Sequence, residues 1–291
     1  MGTFLGFLTY FAWAIGDIFG IYSSRKIGSF LATFYVFIAA FFVASLYVPF
    51  ALNELRNITP FLLLINILFG IVVLTGNYMI NEAFRTSNAS LIGIIVQSFP
   101  AAVVVLSWLL FKDPITLNQA FWIVIIFFGV FLCTISLSDL KGAKFRVDRG
   151  VRLTLIATFG FTIYFTFLRI FIAKYGWFWP NYIAIASFPL AIFTIRKVFK
   201  IKEKIKLAVN KKAIVSAFLS GSMLRGGDIA LNYAVAAGLT ATAAPIAGAS
   251  PTLFVILSSL IFKDKTSKQQ IIGILVSLVG IVALSFSLSI F

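Results

Sequence analysis

Arg225 and Asp228 are the two residues whose types and spacing most directly suggest chemistry. They stand three positions apart within a long apolar stretch, so on a helix they share one face. A charge near the centre of a bilayer costs about 2.5–3.5 kcal/mol on insertion scales, so such residues normally face a cavity or a partner helix. The pair is either self-neutralising, which only limits that cost, or a binding or proton-carrying pair. Gly226 and Gly227 favour the second interpretation, because adjacent glycines let backbone approach a ligand closely.

Asp17 is a further ionisable residue at a position where a charge is costly. It follows Trp13 and Gly16 in the first apolar stretch, beyond the centre of that stretch. A lone ionised carboxylate is unfavourable there, so we expect Asp17 to hold a proton or to pair with a base on another helix. We therefore predict that Asp17 or Asp228 binds and releases a proton, which makes the proton a candidate coupling ion.

Amide and aromatic side chains within the apolar stretches extend the candidate site. Asn77 corresponds to Asp228 at a shift of 151 positions, and the same shift pairs Asn81 with Asn232 one turn further along. Hydrogen bonding between helices explains Asn81 and Asn232 as well as ligand contact does. Aromatic residues with a polar tip are further candidates. The complete predicted substrate-binding set is Trp13, Asp17, Asn77, Tyr78, Asn81, Gln97, Tyr164, Arg225, Asp228 and Asn232.

Prolines interrupt two of the apolar stretches, at Pro100 in one and at Pro245 and Pro251 in the other. Each proline removes a backbone donor and frees a carbonyl group. Two interpretations stay open, a static kink or a broken helix whose free carbonyls contact substrate. Gln97 belongs to the candidate set because it lies within one turn of Pro100.

The composition shows what kind of element positions these residues. Of 291 residues, 61% are apolar and 11% charged, and the mean hydropathy is +1.05. A soluble domain has about half of its residues apolar and about a quarter charged, so much of this apolar surface must face lipid. Ten stretches are close to the roughly 20 residues that span a bilayer. They are 3–22, 29–50, 60–82, 87–111, 117–138, 150–172, 177–198, 213–236, 240–262 and 268–290. The sequence predicts an all-α integral membrane protein with ten transmembrane helices.

An internal repeat divides these stretches into two sets of five. Phe111-Lys112-Asp113 recurs as Phe262-Lys263-Asp264, and the same shift of 151 positions aligns asparagines, prolines, glycines and glutamines without an insertion. We predict two repeats, 1–139 and 150–291. Since five is odd, the second repeat must enter the membrane from the opposite side, as in many secondary transporters. The binding site is expected between the two inverted repeats, near the middle of the membrane.

The residues that recur at the end of each half suggest a family. They are Pro100, Asp113, Gln119 and Gly129, and then Pro251, Asp264, Gln270 and Gly280. With them, the chain resembles the drug/metabolite transporter superfamily, EamA type, whose members have ten spans in two repeats. The family more often has Glu than Asp at the acidic position that ends the helix. The resemblance covers nearly the whole chain and implies membrane transport, often export, without specifying a substrate.

Several classes of function are disfavoured by what the sequence lacks. It has no histidine and one cysteine, Cys133, which excludes a histidine-bearing metal site and an intramolecular disulfide. No phosphate-binding P-loop motif occurs, and no nucleophile–base spacing supports an enzyme. We expect no metal, no cofactor and no catalytic residue.

Basic residues concentrate in two connectors, and we interpret them as contacts to anionic lipid head groups and not to nucleic acid. The connectors contain Lys141, Lys144, Arg146, Arg149, Arg196, Lys197, Lys200, Lys202, Lys204, Lys206, Lys211 and Lys212. Their distribution places both termini outside the cell, whereas the family resemblance implies cytoplasmic termini.

The function predicted from these features is secondary active transport of a small polar metabolite, such as an amino acid, across the cell membrane. Alternating access around a cavity between the repeats would carry it, and export is the expected direction. A membrane channel or a lipid scramblase is the alternative.

Overall fold

Apolar runs separated by prolines, glycines and short polar turns form the helices of this chain. The computed structural model describes residues 1–52, 58–134, 147–202 and 210–288. Within these ranges the helices are α1 (Gly2–Ile27), α2 (Ser29–Ser45), α3 (Val48–Ala51), α4 (Pro60–Thr86), α5 (Ala89–Val96), α6 (Phe99–Phe111), α7 (Leu117–Thr134), α8 (Arg149–Tyr175), α9 (Phe178–Ala186), α10 (Phe188–Val198), α11 (Lys211–Ala236), α12 (Thr240–Gly248), α13 (Ser250–Phe262) and α14 (Lys268–Leu288). The same ranges contain no β-strand.

Each of the ten predicted stretches contains one helix or two consecutive helices. Six segments are long and apolar enough to cross a membrane: Gly2–Ile27, Pro60–Thr86, Ala89–Phe111, Arg149–Tyr175, Thr242–Phe262 and Lys268–Ser287. The pair α9 and α10, bent by 47°, is a seventh if it is taken as one span. The prediction of an all-helical membrane protein is confirmed, while the number of ten spans stays a prediction. Helices α2 and α7 are shorter, and α11 contains four charged residues.

Prolines mark the positions at which two apolar stretches break. Pro100 lies in the first turn of α6 and Pro251 in the first turn of α13. A proline is tolerated there because its missing N–H would have no partner within the helix. The predicted interruptions at these two prolines are confirmed, whereas Pro245 lies inside α12.

Close helix packing depends on small residues, as is usual between membrane helices. Extensive contacts join α1 to α11, α4 to α8, and α7 to α14. A Cβ atom at Gly129 would lie 2.5 Å from the backbone nitrogen of Ser277, and one at Gly280 would lie 2.7 Å from Ile126 Cγ1. Larger residues at these glycines would force α7 and α14 apart.

The helix bundle has two ends, which we name after Ser87 and Asp113. At the Ser87 end, Ser87 hydrogen-bonds Asp148 at the start of α8, and Arg25 at the end of α1 contacts Asp264 after α13. At the Asp113 end, Arg169 in the last two turns of α8 contacts Asp113 after α6. Arg169 thus has a specific partner near the end of its helix.

Two of the basic connectors fall partly outside the described residues. Lys141, Lys144, Arg146, Lys204 and Lys206 lie outside the described residues, and so do the predictions made on them.

Candidate functional site

An internal cavity of about 400 Å³ lies among the helices and receives residues from both halves of the chain. Its wall is mainly apolar, with a small number of polar side chains, which is the usual composition of a site for a small molecule. Eight of the ten predicted site residues line it. They are Trp13, Asp17, Asn77, Gln97, Tyr164, Arg225, Asp228 and Asn232.

The ion pair on α11 is the most polar part of the cavity wall. Arg225 Nη1 lies 3.3 Å from Asp228 Oδ2, as the i, i+3 spacing predicts. Trp13 of α1 donates its indole N–H to Asp228 Oδ1 at 3.0 Å. The Arg225 side chain is 15% exposed and that of Asp228 is 36% exposed, so the carboxylate is the more accessible partner. Arg225 Nε is buried and has no hydrogen-bond partner within the described structure.

Gly227 explains why Trp13 can reach Asp228. A Cβ atom at Gly227 would lie 2.9 Å from Trp13 Cδ1 and 3.0 Å from its Nε1. Thr9 of α1 also donates its hydroxyl to the Gly227 carbonyl at 3.1 Å. The glycine therefore lets α1 and α11 approach, while a Cβ at Gly226 would meet open space. Of the two adjacent glycines, only Gly227 is needed for this contact.

Asp17 lines the same cavity one turn after Trp13. It makes no hydrogen bond or ion pair to the residues that the structure describes. Asp228 is the charge that acts most directly on Asp17, and it is a repulsive one. Two carboxylates and one guanidinium thus share the cavity, which leaves one negative charge uncompensated when both acids are ionised.

Tyr164 and the amide residues form a second polar group on the wall. Tyr164 Oη lies 3.5 Å from Asn181 Oδ1, and Asn181 donates to the Trp177 carbonyl at 3.0 Å. Asn77 donates to the Val73 carbonyl of its own helix at 3.0 Å, which leaves its oxygen available. Asn181 was not predicted as a site residue, although an amide following Pro180 inside an apolar stretch was a usable signal.

Two predicted site residues, Tyr78 and Asn81, do not line the cavity. Tyr78 points to another side of α4, where its ring lies 4.8 Å from that of Phe199. Asn81 lies nearer the Ser87 end and donates to Thr33 Oγ1 at 2.9 Å. A Cβ at Gly20 would be 3.8 Å from Asn81 Oδ1, so α1 closes over this level of the bundle. The neighbours Ile80 and Phe84 line the cavity, but Asn81 faces away from it and joins α4 to α2 instead.

Glu82 is a buried carboxylate near the end of α4. It accepts hydrogen bonds from Arg85 at 2.8 and 2.9 Å and from Ser29, and Arg149 lies 3.5 Å away. Its partners balance its charge outside the cavity. No group of three or more His, Cys, Asp or Glu side chains that could hold a metal ion occurs among the described residues.

The fold and the cavity define a class, an all-helical multi-pass membrane protein with a partly polar cavity among its helices. A model of the EamA-like transporter family matches residues 1–135 and 148–286. The chain therefore belongs to the EamA-like transporter family of the drug/metabolite transporter superfamily, which confirms the resemblance found in the sequence. This family consists of membrane transporters and not of enzymes.

Similar proteins add the fold but no substrate. The uncharacterized protein MJ1333.1 of Methanocaldococcus jannaschii is 29% identical over 90 residues, which is 31% of this chain and 66% of that relative. The match thus spans just under two thirds of the relative. A solved crystal structure is similar with a TM-score of 0.57 at 16% identity, and the similarity covers 99% of this chain and 97% of that one. At this identity the likeness shows the fold alone.

Proposed function

We propose that the protein is a secondary active transporter that binds a small polar metabolite in the central cavity. The observation that carries this proposal is the group of Trp13, Asp17, Arg225 and Asp228 on one cavity wall. These polar side chains are costly inside a membrane, and only part of their bonding capacity is used within the chain. A cavity of about 400 Å³ suits a small metabolite.

The chemistry of the wall favours a solute with both donor and acceptor groups, such as an amino acid. Arg225 Nε offers a free donor, and Asp17 offers an unpaired carboxylate. An acceptor on the solute would bind the guanidinium, and an ammonium or other donor would bind Asp17 or Asp228. Protonation of either acid would remove that attraction, which is how a proton would be coupled to release.

Repetition of the helix bounds supports an architecture of two five-helix repeats, 1–139 and 150–291. At the shift of 151 positions, the first residues of α4, α5, α6 and α7 correspond to the first residues of α11, α12, α13 and α14. Lys112 and Lys263 both end a helix in the left-handed conformation, with φ of 60° and 50°. Gly28 and Gly176, with φ of 82° and 77°, end the first helix of each repeat.

Matched contacts between the halves support an inverted arrangement. Helix α1 of the first half packs on α11 of the second, and α8 of the second half packs on α4 of the first. Helix α7 packs on α14, its counterpart at the shift of 151. Inverted repeats enable alternating access, since each half can adopt the conformation of the other.

The charge distribution supports a cytoplasmic location for the Ser87 end. Its basic residues within the described ranges include Arg25, Lys26, Arg85, Arg149, Arg152, Lys197, Lys211, Lys212, Lys263, Lys265 and Lys268. The Asp113 end has Lys112, Arg169 and Lys174. Positive residues accumulate on the cytoplasmic side of membrane proteins, so both termini lie outside the cell in this proposal.

Ligand-dependent thermal stability tests the binding site directly. Purified protein is screened against amino acids and related polar metabolites, and a bound solute raises Tm. The double variant Arg225→Leu/Asp228→Leu removes both charges without leaving one unpaired. We expect it to fold and to lose the ligand-induced rise, while Asn81→Ala, outside the cavity, keeps it. An undiminished rise in the double variant contradicts the assigned site.

Flux into proteoliposomes separates the transporter from the alternative, a channel or lipid scramblase. A carrier shows saturable uptake and counterflow, whereas a pore gives flux that rises linearly to high concentration. Replacing Asp17 and Asp228 by Asn one at a time tests the coupling ion. Unchanged dependence on the pH gradient in both variants excludes the proton role.

A further inference from the structure

Each end of the bundle contains one arginine–aspartate pair that links the two halves of the chain. We propose that these two pairs are gates that close the cavity at one end at a time, with the Arg25–Asp264 gate fully bonded and the Arg169–Asp113 gate only partly bonded in this structure. This inference rests on the proposed alternating-access function. In this proposal, four residues outside the cavity control which side of the membrane has access to it.

The Arg25–Asp264 pair ties three segments together at the Ser87 end. Arg25 Nη1 and Nη2 donate to the two carboxylate oxygens of Asp264 at 3.0 and 2.6 Å. Arg25 Nε also donates to the Phe84 carbonyl at 3.0 Å, and Nη2 donates to the Ser87 carbonyl at 3.2 Å. Asp264 Oδ2 accepts from the Ala89 backbone N–H at 2.8 Å. A bidentate pair with these added bonds fixes α1, the turn 84–89 and the end of α13 in one arrangement.

The Arg169–Asp113 pair at the opposite end is built from the same parts. Arg169 Nη1 donates to Asp113 Oδ2 at 2.5 Å, and its guanidinium carbon lies 4.6 Å above the centre of the Phe111 ring. The corresponding distance from Arg25 to the Phe262 ring is 4.7 Å. Phe111 and Asp113 correspond to Phe262 and Asp264 at the shift of 151. In both cases an arginine from the first helix of one half meets an aspartate from the other half.

The two pairs differ in how much of the bundle they hold. Both side chains of the Arg25–Asp264 pair are 24% exposed, while Arg169 and Asp113 are 52% and 42% exposed. The turn 84–89, which Arg25 holds by its carbonyls, corresponds to residues 235–240 at the shift of 151. Among the described contacts, neither Arg169 nor Asp113 bonds that second turn.

The second turn has room on the side where such bonds would form. Gly238 lies within it at the position that matches Ser87, and a Cβ there would meet nothing within 4 Å. Leu168, Asn181 and Asn232 line the cavity from parts of their helices nearer the Asp113 end. Ile80 and Phe84 line the cavity from the part of α4 nearer the Ser87 end. The two ends therefore differ in how tightly their pairs are bonded, and not in the reach of the cavity.

Exchange of the two conformations is what inverted repeats predict for the opposite state. In that state the Arg169–Asp113 pair would bond the turn 235–240, and the Arg25–Asp264 pair would release the turn 84–89. Arg169 stands seven residues before Gly176, whereas Arg25 stands three before Gly28, so Arg169 lies about one turn deeper in its helix. Closure at the Asp113 end would thus need α8 to shift along its axis or Arg169 to extend.

Cysteine labelling at each end measures this gating without any substrate. In a Cys133→Ser background, Ser90→Cys places a reporter in the α5–α13 contact beside the Arg25–Asp264 pair, where Ser90 bonds Ser258. Leu231→Cys places another on the cavity wall toward the Asp113 end. Labelling rates with a membrane-impermeant maleimide are measured in vesicles of both orientations.

Loss of the fully bonded gate should expose only its own end. We expect Arg25→Gln and Asp264→Asn each to raise the labelling rate of Ser90→Cys at least tenfold and to lower that of Leu231→Cys. The conservative variant Asp264→Glu keeps the charge and should retain at least half of the original protection of Ser90→Cys. Arg169→Gln is the matched control, and it should not raise labelling of Ser90→Cys.

Two results would overturn the gate. One is a change of less than twofold in Ser90→Cys labelling with both Arg25→Gln and Asp264→Asn in folded, monodisperse protein. The other is an equal rise with Arg169→Gln, which would indicate general loosening of the bundle. If Arg25→Gln does not fold, the comparison of Asp264→Asn with Asp264→Glu decides. Labelling needs no solute, so a failed gate and a failed metabolite-binding site give separate results.

Discussion

Helices α4 and α11 occupy matching places in the two halves but differ in their chemistry. Gly227 of α11 accommodates the ring of Trp13, and Gly76 of α4 accommodates the ring of Phe161, whose Cε1 would lie 2.7 Å from an added Cβ. The two aromatic residues lie in α1 and α8, the first helices of their halves. The same close approach of glycine and aromatic ring therefore occurs twice.

Only one of the two contacts ends in a charged group. Asp228 follows Gly227 and accepts a hydrogen bond from Trp13, whereas Asn77 follows Gly76 and bonds its own helix. Phe161 has no polar atom to offer. The packing of the bundle is repeated, while the charged residues of the cavity wall lie on α11 and α1. A transporter with inverted repeats needs matching shapes for its two states, but its substrate can be bound asymmetrically.

Asp228→Asn should have the largest effect on this comparison. It leaves Arg225 partly buried without a counter-ion, which costs about 2–3 kcal/mol of stability, near the lower limit for a broken buried pair because Asp228 is accessible. Unfolding monitored by far-UV circular dichroism in denaturant measures the change. Asn77→Leu at the matching position should cost only about 0.6 kcal/mol. Equal losses of stability at the two positions would show that the charge on α11 contributes no more to stability than the amide on α4.

Gly227→Ala and Gly76→Ala should come next. Each adds a methyl group within 3 Å of a ring, and the overpacking costs about 1–3 kcal/mol, partly offset by the better helix propensity of alanine. The two variants should lose similar stability. We expect only Gly227→Ala to weaken ligand binding in the thermal-shift assay, because it displaces Trp13 from Asp228. Weaker binding in Gly76→Ala as well would place both glycine contacts in the site.

Trp13→Phe should have a smaller effect that is specific to binding. It makes α1 resemble α8 at this position and removes the hydrogen bond within the protein that orients Asp228, worth about 1.5 kcal/mol. If all of that orientation serves binding, affinity should fall by at most roughly tenfold. Isothermal titration with the solute found by screening measures the loss. The converse change, Phe161→Trp, meets no carboxylate from Asn77 and should leave affinity within twofold.

The helices could be predicted from the sequence because they depend on one-dimensional signals, whereas the two inverted repeats stay a prediction. Apolar runs of bilayer length, and prolines such as Pro100 and Pro251, set where helices begin and break. Eight candidate residues line the cavity because polar and charged side chains inside a membrane are stable in few positions. Tyr78 and Asn81 could not be placed in the same way. Helix α4 is apolar on several faces. Its sequence therefore gives little information on which face meets the cavity and where α1 packs against it.

The ion pairs between helix ends could not be predicted from the sequence either. Arg169 and Asp113 are separated by 56 positions, and Arg25 and Asp264 by 239. The repeat relates the two aspartates at the shift of 151, but it does not relate the two arginines, which differ by one turn within their helices. Pairing between them is a property of how the halves pack, and it becomes visible only when both halves are present in one structure.

Asn81→Ala should have the smallest effect and sets the limit of the site. Asn81 bonds Thr33 and does not line the cavity, so its loss removes one hydrogen bond between helices, about 0.6 kcal/mol, and no contact to solute. Solute affinity should stay within twofold in isothermal titration. Asn232→Ala, at the matching position of α11, removes a residue that does line the cavity and should weaken affinity more. If Asn81→Ala weakens binding as much as Asn232→Ala, the cavity must reach Asn81 in the state that binds solute. The asymmetry between α4 and α11 would then describe one state of the cycle and not the site itself.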